Sequence, residues 1–136
     1  MAVFSSLAKQ RNFGLLILRI GLGAFMIIQH GLPKLMGGPE LWAKVGSSMS
    51  HLGIDFFHLF WGLSAALVET LGGVFFILGL WFRPTAFAFC IVMAVAGYQH
   101  LQMGDGWSVA SRAFELLFVF FGIAFVGPGK YSVDKG

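Results

Sequence analysis

The chain has 136 residues, 57% of them hydrophobic and only 11% charged. Soluble domains carry about a quarter charged residues, and a mean hydropathy of +0.82 leaves more apolar surface than a core this small can hide, so apolar side chains must face lipid. The net charge of +3 is not a nucleic-acid signature, and the single cysteine, Cys90, excludes an internal disulfide, a CxxC redox pair and a covalently attached c-type haem.

Residues 1–12 are mixed in polarity and carry Lys9 and Arg11. They read as a cytoplasmic arm beside the lipid surface. The first apolar run is too long for a signal-peptide core, and no small-residue cleavage site follows it cleanly. It reads as a retained span over residues 13–35. Its polar members Arg19, His30 and Lys34 are spaced by eleven and four residues, which puts them on one helical stripe with Gly23 and Met26. Pro33 should kink or end that helix. Gly37-Gly38 breaks the chain, and Pro39-Glu40 has the form of a helix start. Leu41, Trp42, Val45, Met49 and Leu52 then share one face of a segment too short and too polar to span. This predicts an interfacial amphipathic helix over the exit of the first span.

Residues 56–80 form the second span, with Glu69 at its centre. An ionisable side chain at that depth costs several kcal/mol unless it is paired, hydrated or protonated. Gly62, Ala65, Gly72, Gly73 and Phe76 share its face, and small residues there let a neighbouring backbone approach. Trp81-Phe82-Arg83-Pro84 is a tight turn. The third span, residues 85–103, carries Tyr98 and His100 near its end. Gly104-Asp105-Gly106 turns the chain into the fourth, residues 107–126, which carries Arg112 and Glu115. Gly127-Pro128-Gly129 stops it, and a short basic tail follows.

The expected fold class is all-α: a transmembrane four-helix bundle, one membrane domain over residues 1–136, with a short interfacial helix in its first outer loop. Four spans put both termini on one side. That side holds Lys9, Arg11, Arg83, Lys130 and Lys135, against Lys34, Lys44 and Arg112 with Glu40, Asp55 and Asp105 on the other. The positive-inside rule makes the first side the cytoplasm.

A rise of about 1.5 Å per residue sets His30 about 25 Å and His100 about 24 Å from the inner ends of their spans, and Glu115 about 10 Å from the outer end of its own. The expectation is a polar column opening outward. Glu69 is its floor, paired from below by Arg19. His30, His100 and Glu115 form the upper wall, with Lys34 at the rim and Tyr98 and Trp107 near the mouth. Two roles are open for these groups. Arg19 with Glu69 is a structural ion pair on one reading, and Arg112 with Glu115 a local pair three residues apart. On the other, Glu69, His100 and Glu115 handle protons, while Arg19, His30, Lys34, Tyr98 and Trp107 hold a polar ring such as a quinone head group. His30 and His100 are also the minimum for b-type haem ligation, but nothing else in the sequence supports it. Zinc or di-iron sites would need more ligands at facing positions, so no metal is expected.

Several motifs together resemble one family. They are Leu18-Arg19-Ile20 with Gly23, His30-Gly31 and Lys34-Leu35 in the first span, Glu69 with Gly72-Gly73, then Leu78-Gly79-Leu80 and Arg83-Pro84. Met93 and Ala96 with His100, Glu115-Leu116 and the closing Gly127-Pro128-Gly129-Lys130-Tyr131-Ser132-Val133-Asp134 complete the set. The pattern is similar to the DoxX family of small four-helix membrane proteins and covers nearly the whole chain. The resemblance implies a bacterial inner-membrane protein linked to redox complexes. The related DoxD type belongs to a thiosulfate:quinone oxidoreductase, and some members are said to link superoxide dismutase with a sulfurtransferase. No thiosulfate-oxidising chemistry is visible in these residues.

Three functions follow as expectations. The first is a quinone-interacting subunit of an oxidoreductase, without a redox centre of its own and fed electrons by partner redox proteins. The second is a non-catalytic scaffold whose outer helix or basic tail docks partner enzymes. The third, ranked last, is a small-molecule carrier, which would need a homo-oligomer or a very small substrate.

Overall fold

The computed structural model describes residues 2–134; Lys135 lies outside them. A short helix α1 (Ala2–Ala8) precedes the first span. That span runs Arg11–Met36 and is built from α2 (Arg11–Phe25), a π-helical turn (Met26–Gly31) and α3 (Leu32–Met36). Helix α4 (Gly38–Gly46) and a 3₁₀ segment (Ser47–Leu52) follow. Three long helices complete the chain: α5 (His58–Leu78), α6 (Phe82–Gln102) and α7 (Trp107–Val126). Four helices are thus long and apolar enough to cross a membrane. The protein is an all-α, multi-pass membrane protein, as its composition requires.

Two boundaries differ from expectation for reasons of proline chemistry. Pro33 does not end the first span, because the π-helical turn before it resets the register and places Pro33 in the first turn of α3. A proline there needs no N–H partner. In the same way Pro84 sits in the first turn of α6, which begins at Phe82.

Helix α5 is the shared spine, and glycines set its register against the first span. A Cβ on Gly23 would lie 2.8 Å from the Gly73 carbonyl oxygen, and one on Gly31 would lie 2.6 Å from the Thr70 amide. Backbones come this close only where side chains are missing. The seam continues past the break at Gly38, whose φ is +80°. A Cβ on Gly46 would fall 1.7 Å from the His58 carbonyl oxygen, and one on Gly62 would fall 1.6 Å from that of Trp42. Helix α4 therefore carries on along α5 in the direction of α2, instead of lying over the exit of the first span. Trp42 secures the joint by donating from Nε1 to the Lys34 carbonyl at 2.8 Å.

The opposite side of α5 meets a phenylalanine core. Phe76 stacks on Phe82 at 4.7 Å and meets Phe120 edge-on at 5.6 Å. Phe89 closes the group at 4.8 Å from Phe120. All four rings are fully buried. Helices α6 and α7 pack along their lengths, with Gly97 seated against the Phe114 ring.

The face that carries both chain ends is closed by caps. Helices α5 and α7 end there, presenting unpaired carbonyls and the negative ends of their dipoles. Arginines answer them. Arg19 donates to the Ile77 carbonyl at 3.1 Å, Arg83 to that of Ala124 at 3.0 Å and Arg11 to that of Val126 at 3.3 Å. Helix α6 begins on the same face with free amides, and the Asp134 carboxylate accepts from Trp81 and Phe82 at 3.0 and 2.7 Å. The C-terminal tail is thus part of the fold. Its Val133 and Asp134 amides bond to the Leu78 and Gly79 carbonyls, and its Lys130 amide to the Asn12 side chain.

Candidate functional site

The glycine register decides what Glu69 faces. Gly31 lies level with Thr70, so the turn that follows holds Lys34 beside the middle of α5, well inside the rim expected for it. Glu69 has no exposed side-chain surface, and the Lys34 ammonium bonds both its oxygens, at 2.8 and 2.7 Å. A carboxylate at this depth needs a charged partner, and Lys34 supplies it. The expected Arg19–Glu69 pair does not form. Arg19 is fully buried one level nearer the chain ends, where its guanidinium holds the carbonyls of Ile77 and Tyr131. Its Nε has no partner among the described residues.

His30 belongs to the same centre. It is the penultimate residue of the π-helical turn, half-buried, within the field of both Glu69 and Lys34. A π turn offsets one residue from the α-helical stripe, a device common at functional sites. His30 takes no part in the Lys34–Glu69 hydrogen bonds, and its ring has no hydrogen bond among the described residues. Lys34 also keeps capacity. An ammonium has three donors, two of which are given to Glu69, and 27% of its side chain is exposed.

The other residues of the expected column stand elsewhere. His100 bonds Asp105 through Nδ1 at 2.8 Å, at the end of α6 away from the chain ends, and both side chains are partly exposed. Tyr98 and Trp107 are exposed nearby. Glu115 points away from the bundle, as does Arg112, and the two make no ion pair with each other. Helix α7 packs on α6 and not on the Glu69 region of α5, which is why depth alone did not bring Glu115 to the site. A groove of about 290 Å³ runs between α5 and α6, lined by Leu71, Phe75, Trp81 and Ala88 among others, and contains none of the expected site residues. No group of three or more metal-ligating side chains occurs among the described residues.

Sequence reasoning gave no partner to Thr70, Trp42 or Asp105, which respectively seat Gly31, hold the end of α3 and bond His100. The signal for the first two was the glycine spacing of the two spans, read as a register and not only as a face.

The DoxX family model matches residues 14–102, the stretch from the first span to the end of the third. An uncharacterized protein of Haemophilus influenzae is 31% identical, over 96% of this chain and 96% of its own length. No solved structure matches. With the family model covering the π-helical turn, Lys34 and Glu69 together, the chain belongs to the DoxX family.

Proposed function

We propose that the protein is the membrane subunit of a redox-associated assembly and that its Lys34–Glu69–His30 centre receives the polar head of a quinone-type ligand. One observation carries this reading: the centre holds unspent donors beside a fixed charge pair. Lys34 keeps a third N–H and a partly exposed side chain, and the half-buried His30 ring, which has no hydrogen bond among the described residues, lies within the electrostatic reach of both Lys34 and Glu69. Carbonyl oxygens of a quinone accept such bonds, while its apolar tail needs only the surrounding lipid. Glu69 holds Lys34 in place, Lys34 orients the oxygen and His30 exchanges a proton with it. The bound quinone would supply the electron chemistry, and a partner protein the electrons. The plasma membrane is the proposed location. Lys9, Arg11, Arg83 and Lys130 on the face of the chain ends support a cytoplasmic placement of both termini.

A photoreactive azidoquinone tests the reading on the purified chain in lipid. Labelling should fall within residues 26–42 and be competed away by unmodified quinone. Labelling confined to the α5–α6 groove, or labelling that competitor leaves unchanged, would reject it.

One observation favours a scaffold instead. Both Glu69 oxygens are occupied and its side chain is wholly buried, as in a purely structural ion pair. On that reading the chain binds partner enzymes but no quinone, and a pull-down from mild detergent would recover them with the azidoquinone site absent.

A further inference from the structure

Helix α7 commits one face to the bundle and leaves the other bare. Ala110, Ala113, Phe120, Ile123 and Ala124 are buried. On the far side a seven-residue repeat runs Ser108, Ser111, Glu115, Phe118, Gly122, Phe125. Phe118 and Phe125 are 72% and 68% exposed, and a Cβ on Gly122 would meet open space. A repeat of this period is the seam of a left-handed helix pair. Small residues within it allow close approach.

The charges on this face are what lipid does not explain. Glu115 lies about 12 Å along the helix from its start. It is exposed, and among the described residues neither it nor Arg112 has a hydrogen bond or ion pair. A short carboxylate facing hydrocarbon at that depth is unfavourable without a partner.

We propose that this face is the contact between two copies of the chain, packed α7 against α7 about a two-fold axis along the membrane normal. Such an axis keeps the two helices parallel and brings both Glu115 side chains into the seam. Arg112 lies one turn nearer the start of the helix, on the flank, and reaches across to Glu115 of the second copy. Two acids and two guanidiniums then form a neutral cluster. Charge complementarity selects a second copy as the occupant, because the two-fold makes the Arg112-to-Glu115 contact twice and the two guanidiniums offset the repulsion between the two carboxylates in the seam. A single polar layer in an otherwise apolar seam also fixes register and pair number.

The test uses the full chain in liposomes on a Cys90→Ala background, which removes the sole cysteine. Single cysteines are introduced as Ser108→Cys or Gly122→Cys in the seam and as Ile91→Cys on the exposed face of α6, where Ile91 is 67% exposed. Oxidation should yield a band of twice the chain mass for the two seam variants and none for Ile91→Cys. Adding Glu115→Leu or Arg112→Leu should slow cross-linking about tenfold, and the swap Arg112→Glu with Glu115→Arg should restore it. Glu115→Gln is the milder substitute if Glu115→Leu loses helical content by circular dichroism. No seam cross-link, an equal one at Ile91→Cys, insensitivity to the charge variants, or a product of any other mass would overturn the proposal.

Discussion

Glu69 is wholly buried in a span and depends on one flexible side chain for its counter-charge. Removing one partner of a buried pair leaves the other charge uncompensated and costs about 3–5 kcal/mol. Lys34 is a quarter exposed, so Lys34→Ala should destabilise by about 3 kcal/mol, the lower end of that range. Replacing both partners with apolar residues, as Lys34→Met with Glu69→Leu, removes the charge and should recover most of that loss. Denaturant unfolding in micelles checks both. A double variant no more stable than Lys34→Ala would mean that the pair does not act as a unit. The sequence showed that Glu69 must be answered. It did not show by which cation, because Arg19 and Lys34 lie on the same stripe and only the backbone register separates them.

Glycines carry that register, and their effect belongs to the helix. Gly46→Ala or Gly62→Ala would drive a methyl into a carbonyl oxygen that cannot move without shifting a helix. Either should release α4 from α5, read as faster amide exchange across residues 38–46. Gly14→Ala and Gly21→Ala meet open space and should leave exchange unchanged. Equal effects at all four positions would contradict the seam. At the other end, Asp134→Ala removes the acceptor for the Trp81 and Phe82 amides. Trp81 takes a left-handed backbone, φ +47°, which is disfavoured for an aromatic residue, so its cap matters more than an ordinary one. A loss of about 1–2 kcal/mol is expected, with the exchange change confined to the first turn of α6. The four helices were legible because long apolar runs admit one reading in a bilayer. The π-helical turn was not, since no residue type marks it, and the caps were not, since they join residues more than forty positions apart.

The whole molecule has two unlike faces. The chain ends, three arginine caps and the Asp134 cap gather on one. The end of α4 at Gly46 against His58, the His58–Asp55 pair and the His100–Asp105 pair mark the other. The proposed orientation, with both termini cytoplasmic, rests on this split, and cysteine labelling checks it. On the Cys90→Ala background, Ser50→Cys should react with an impermeant maleimide in intact cells and Ser5→Cys should not. The reverse pattern would overturn the proposed orientation. Sequence depth alone suggested one polar column. The packing order divides it, since the first span meets α5 while α7 meets α6. The central claim, that the Lys34–Glu69–His30 centre receives a quinone head group, is tested most directly by fluorescence. Trp61→Phe, Trp81→Phe and Trp107→Phe leave Trp42 as the sole tryptophan, bonded to the Lys34 carbonyl. Titration of this chain with a short-chain quinone should give saturable quenching that His30→Ala weakens and Lys34→Met with Glu69→Leu abolishes. Quenching that rises linearly and equally in all three proteins would contradict the claim.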